Sequence, residues 1–74
     1  MKRIAGLKQV QKALESSEVQ VVYVALDAEA SLRKKIVSLA EEKGVRIVYA
    51  ETMAQLGKDC GIKVASSTAA DICD

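Results

Sequence analysis

Histidine, proline, phenylalanine and tryptophan are all absent from this 74-residue chain. Without histidine it lacks the commonest general base near neutral pH and the commonest metal ligand. Tyr23 and Tyr49 are the only aromatic residues, which argues against single-strand binding on stacked aromatic platforms. Only two cysteines occur, Cys60 and Cys73, and their spacing matches neither a metal clip nor a disulfide framework. They read as small apolar side chains with reduced thiols, the usage of a cytoplasmic protein. No run approaches the ~20 apolar residues of a membrane span, and no long apolar stretch follows the basic N-terminus as in a signal peptide. Nothing in the residue content calls for a cofactor or metal.

What the chain does have is apolar residues, at 50%, and a lopsided distribution of charge. The length predicts one domain, residues 1–74, close to the lower limit for a self-sufficient core. Lys2, Arg3, Lys8 and Lys12 fall within the first fourteen residues, and the first carboxylate is Glu15. The remaining sixty residues hold seven basic and ten acidic side chains. A basic end on a slightly acidic body points to a localised site for a polyanion.

Hydrophobic spacing divides the chain into strands alternating with helices. Residues 3–5 form a short edge strand before Gly6. Leu7, Val10, Ala13 and Leu14 then recur at helical spacing up to Ser16–Ser17. Residues 19–26 are β-branched and apolar apart from Gln20, which suits a central strand covered on both faces. Asp27 is placed to cap a helix over 28–43 with Leu32, Ile36, Leu39 and Ala40 on its inner face. Gly44 is a left-handed stop, and 45–50 is a second β-rich run. Thr52 and Gln55 fit a capping box for a helix ending near Asp59. A loop over 60–64 leads to a last strand over 65–72. The alternation implies an α/β sandwich.

Two segments carry chemistry. In Gly6-Leu7-Lys8-Gln9-Val10-Gln11-Lys12, glycine at a strand-to-helix junction permits close backbone approach, and the first helical turn offers unpaired N–H groups. Lys8 can donate to phosphate or to a guanine edge, and Gln9 carries both a donor and an acceptor. Lys12 lies one turn below Lys8. Backbone donors, positive charge and one amide describe recognition rather than catalysis. In Leu56-Gly-Lys-Asp-Cys-Gly-Ile-Lys-Val-Ala65, Ile62 and Val64 either fold onto the core or meet a ligand.

Taken together, these segments resemble the kink-turn-binding ribosomal-protein family, the archaeal L-seven-Ae and eukaryotic L-thirty-e group, and in particular its short bacterial homologues. Gly6-x-Lys8-Gln9-x-x-Lys12 is similar to that family's Gly-x-[Asn/Lys]-[Glu/Gln]-x-x-Lys signature. Leu39-Ala40-Glu41 with Gly44 resembles the end of its second helix. Leu56-Gly57, Cys60-Gly61-Ile62-x-Val64 and the small residues 65–70 resemble its loop and last strand. The resemblance implies a three-layer α-β-α sandwich with a four-stranded mixed sheet, and binding of RNA kink-turns, in which tandem sheared G·A pairs follow a bulge. It also implies a set of RNA-binding residues: Gly6, Leu7, Lys8, Gln9, Lys12, Gly61, Ile62, Lys63, Val64 and Ala65. Lys8 and Gln9 would meet the guanine edges, and Lys12 would support them or reach phosphate. Residues 61–65 would pack on the flipped-out bulge nucleotide, which is how sequence-selective RNA binding usually works.

The chain departs from the family pattern at three places: Lys8-Gln9 replaces the usual Asn-Glu pair, which adds charge and exchanges an acidic acceptor for a neutral one, and two further positions differ. Leu7 stands where a small residue or threonine is usual, and Asp71 stands where the last strand is usually apolar, reading as an exposed strand end. The expected partner is structured RNA, with the ribosome a candidate host; no membrane and no DNA are expected, and a monomer is the default. A protein-interaction module of the same fold is the alternative. An enzyme using Cys60 activated by Lys58 and Lys63 is disfavoured, since no histidine or paired base accompanies it.

Overall fold

The apolar run after Glu18 forms the strand with neighbours on both sides, as its composition requires. In a computed structural model, which describes residues 2–16, 18–59, 61 and 65–72, the elements are β1 (Lys2–Ala5), α1 (Leu7–Glu15), β2 (Val19–Ala25), α2 (Ala30–Glu42), β3 (Arg46–Ala50), α3 (Met53–Asp59) and β4 (Thr68–Ile72). The four strands form one mixed sheet in the order β1-β4-β2-β3. β4 runs antiparallel to both β1 and β2, while β2 and β3 are parallel. Parallel neighbours need a crossover, and α2 supplies it.

Helices cover both faces. On one, Val10, Ala13 and Leu14 of α1 and Ile36 and Ala40 of α2 pack against Val19, Val22, Val24 and Ala70. On the other, Leu56 of α3 packs with Ala25, Ala28 and Ala69. The small residues at 69 and 70 let helices approach the centre of the sheet from both sides. Gln20, the polar residue of the apolar run, is exposed where the register of β2 against β4 shifts. No helix among the described residues is long and apolar enough to cross a membrane.

Several boundary expectations need correction. Asp27 does not cap α2, which starts at Ala30 with Glu29 at the N-cap position and no side-chain cap bond. A turn closed by the Ala28 N–H on the Ala25 carbonyl (3.2 Å) intervenes, and the Leu26 N–H on the Ala50 carbonyl (2.8 Å) brings the end of β3 alongside. Asp27 Oδ1 therefore accepts the Met53 N–H at 2.7 Å, capping α3 instead. Half of the capping box forms: Thr52 Oγ1 accepts the Gln55 N–H at 3.0 Å, but the Gln55 side chain donates to Asp59 Oδ1.

The last strand starts at Thr68 rather than Ala65. Ser66 is tied to the body of the protein by its N–H on the Met53 carbonyl (3.0 Å), which takes the chain out of the ladder. At the end of α2, Gly44 has a φ of 69°, as the stop signal requires. The Val45 N–H reaches back to the Ala40 carbonyl at 2.8 Å, closing a Schellman turn and excluding Val45 from β3.

Candidate nucleic-acid interface

Gly6 sits between β1 and α1 with φ 104° and ψ 143°, a backbone conformation favourable only to glycine. Its N–H donates to the Thr68 carbonyl at 3.0 Å, and its own carbonyl accepts the Val10 N–H at 3.0 Å. The sharp change of direction turns the chain out of β1 so that α1 packs over the face of the sheet. No side chain caps this end, so the N–H groups of the first turn lack intrahelical acceptors.

A groove of ≈ 490 Å³ runs beside it, lined by β1, Gly6 and Gln9 on one side and residues 65–67 on the other. A second groove of ≈ 340 Å³ is lined by Ile4, Gln9, Lys12, Ala13, Ser16 and Glu18. Gln9 and Ile4 line both grooves, and Gln9 is the exposed one of the two. Lys8, Gln9 and Lys12 are exposed, and Ala65 is exposed across the first groove. Ser66 is buried, and its Oγ donates to the Thr68 carbonyl at 2.7 Å, the same oxygen that accepts the Gly6 N–H.

The structure therefore brings together Gly6, Gln9 and Ala65, with Lys8 and Lys12 on the adjoining helix surface. Leu7 stands apart: its side chain is half-buried and packs against the α1–α2 core. Gly61 is exposed at φ 75°, its N–H on the Lys58 carbonyl at 3.0 Å. Ile62, Lys63 and Val64 lie outside the described residues, as do Cys60 and Cys73. No cluster of three or more metal-ligating side chains occurs among the described residues.

The basic end holds a relationship that sequence reading missed. Arg3 Nε donates to Asp71 Oδ1 at 2.7 Å and Nη2 to Asp71 Oδ2 at 3.3 Å. Nη2 also donates to the Tyr23 hydroxyl at 3.0 Å, and that hydroxyl donates to Asp71 Oδ2 at 2.8 Å. The guanidinium carbon lies 4.6 Å from the Tyr23 ring centroid. The hydrogen bond from Arg3 holds the Asp71 carboxyl below its ordinary range, and the bond to Asp71 raises the Tyr23 hydroxyl. Asp71 is not an exposed strand end, since its side chain is only 13% exposed. Its signal in the sequence was the opposite charge of two residues on strands that turn out to pair, with Arg3 directly across from Asp71.

Fold and groove together define an α/β domain with a lysine-flanked groove at one edge of its sheet. Residues 2–73 match the model of the ribosomal protein L7Ae/L30e/S12e/Gadd45 family, and the chain belongs to that family. An RNA-binding protein of Caldanaerobacter subterraneus subsp. tengcongensis is 51% identical over 71 residues, 96% of this chain and 87% of that one. Large ribosomal subunit protein eL8 of Halobacterium salinarum is 35% identical over 66 residues, 88% of this chain and 55% of its own length. The solved Giardia lamblia 15.5kD RNA binding protein superposes with a TM-score of 0.90 at 22% identity, covering 99% of this chain and 62% of that one. That last likeness is one of fold.

Proposed function

We propose that residues 1–74 act as one RNA-binding domain that recognises and stabilises kink-turns. The observation that carries this reading is the placement of exposed Gln9 in the lining of both grooves, one turn into a helix whose start is opened by Gly6. Lys8 and Gln9 read guanine edges at the tandem G·A pairs. A charged donor and a neutral amide together can address both the acceptors and the amino group of guanine. Lys12 reaches phosphate, and Gly6 lets backbone come close to the RNA. Gly61, Ile62, Lys63, Val64 and Ala65 pack on the extruded bulge nucleotide.

Names among the relatives support the coarser half of this reading, since they describe RNA-binding and ribosomal proteins. No chemistry is asked of the RNA. Binding the bent form better than the extended one is enough to shift the conformational population. The host of the kink-turn is a structured RNA, of the ribosome or of an RNA leader. The two departures that favoured a protein-interaction module have structural explanations, since Leu7 packs against the core and Asp71 is bonded to Arg3.

The test is an anisotropy titration of a kink-turn RNA against a control whose G·A pairs are replaced by Watson–Crick pairs. Tight binding to the first and weak binding to the second supports the reading. Equal affinities contradict it.

A further inference from the structure

The interface as drawn leaves Asp71 without a purpose. A carboxylate beside a groove for a polyanion repels the ligand. It faces Arg3, which lines the groove next to Gly6 and Gln9 and is 36% exposed at its side chain. Arg3 is thus positioned to meet RNA phosphate, and guanidinium groups are well shaped for that task. Its fork is instead engaged at both Nε and Nη2 by Asp71 and at Nη2 by the Tyr23 hydroxyl, while Nη1 points to the Asp59 carbonyl at 3.4 Å. A phosphate reaching Arg3 would have to displace a charge-assisted bidentate partner that is already in place.

We propose that Asp71 is a specificity-determining residue, which keeps Arg3 from RNA phosphates so that binding depends on Lys8, Gln9 and Lys12. The inference rests on the RNA-binding reading above. Phosphate contacts strengthen binding to every RNA, whereas base contacts strengthen it to the right one. On the correct RNA the base contacts fix the orientation of the protein, and with it the reach of Arg3. On other RNAs the protein can turn to maximise phosphate contacts, so a released arginine gains at least as much there. The carboxylate removes that gain.

The experiment measures Kd at several salt concentrations for the kink-turn RNA and for the Watson–Crick control. Each phosphate contact steepens the plot of log K against log salt by about 0.7–0.9. Asp71→Asn is expected to steepen the control slope by about that amount, tighten control binding several-fold and narrow the ratio between the two RNAs. Arg3→Gln alone is expected to leave the wild-type slope unchanged, and in the Asp71→Asn background to restore it. An unchanged slope in Asp71→Asn overturns the proposal. So does a shallower slope in Arg3→Gln alone, because Arg3 would then already touch phosphate.

Circular dichroism checks that each variant is folded. If Asp71→Asn is not, Asp71→Ser carries the test, since it too removes the bidentate partner of Arg3: a steeper slope supports the proposal and an unchanged one contradicts it. Should wild type bind both RNAs alike, the kink-turn reading fails while the slopes still decide the role of Asp71. Absence of any RNA binding overturns both.

Discussion

The backbone N–H of Gly6 donates to the carbonyl of Thr68 across 3.0 Å, joining the start of α1 to the start of β4. The Ser66 hydroxyl donates to the same oxygen at 2.7 Å. Two segments some sixty positions apart in the chain therefore meet on one atom, and this junction sets Gln9 and Ala65 across a single groove. The geometry of the proposed interface follows from a carbonyl with two lone pairs, each taken by a different segment.

Gly6→Ala tests that junction. A Cβ at this position meets nothing within 4 Å, yet the φ of 104° is one that side-chain-bearing residues rarely adopt. The cost is therefore backbone strain, about 1–3 kcal/mol, rather than a clash. Denaturant unfolding should show that loss, and RNA affinity should fall at temperatures where the variant remains folded, because relaxing φ re-aims the first turn of α1.

Gln9 and Lys12 should separate by the kind of loss they show. Gln9→Ala is expected to cost about 1–3 kcal/mol on kink-turn RNA and little on the Watson–Crick control. Lys12→Ala should weaken both RNAs to a similar, smaller degree, with a shallower salt dependence. Titrations of both variants against both RNAs give the answer. Equal losses for both variants on both RNAs would contradict the assigned roles.

Asp27 should matter to α3 rather than to the helix that follows it in sequence. Removing an N-cap acceptor costs about 0.5–2 kcal/mol, and the acceptor for Met53 is Asp27 Oδ1 at 2.7 Å. We expect Asp27→Ala to destabilise the protein within that range and to speed hydrogen exchange at the Met53 amide, leaving the amides of α2 unchanged. Faster exchange confined to the first turn of α2 would restore the reading made from sequence.

That difference shows where the sequence is informative. Periodicity located α1 and α2 to within one or two residues, because their buried stripes, Val10-Ala13-Leu14 and Ile36-Ala40, are local patterns. The continuous apolar run announced a strand with neighbours on both sides. Misreadings arose wherever a polar group, of side chain or backbone, is satisfied by a distant segment. Asp27 looks like a cap for the next helix until the end of β3 places Met53 beside it. Residues 65–67 look extended until Ser66 bonds to the Met53 carbonyl. Asp71 looks misplaced until β1 pairs with β4 and sets Arg3 opposite. The site was legible in part for the same reason. Gly6, Lys8, Gln9 and Lys12 lie within seven residues and follow helical geometry. The groove that Gln9 shares with Ala65 is formed by segments from both ends of the chain.

The Arg3–Asp71–Tyr23 network should give stability a distinctive pH dependence. Asp71 in the folded protein titrates below its ordinary value of 3.8, chiefly through its hydrogen bond from Arg3. Its contribution is therefore fully present above that value and is lost as pH falls through the lowered folded value. Tyr23 titrates above 10.0, chiefly because its hydroxyl bonds to Asp71. Its contribution is present below 10.0 and is lost as pH rises through the raised value. The difference in Tm between wild type and Asp71→Asn should stay level across neutral pH and shrink in acid below the carboxylate range. A difference independent of pH down to strong acid would contradict the ion pair.

The most direct measurement uses a kink-turn RNA labelled with a donor on one arm and an acceptor on the other, titrated with protein at fixed magnesium. A protein that selects the bent form should close the arms as it saturates. The same titration should leave a control lacking the G·A pairs extended, and Gln9→Ala should shift closure to higher protein concentration. Binding that saturates on both RNAs without closing the arms of either would contradict the account and leave the lysines of α1 as a general electrostatic surface.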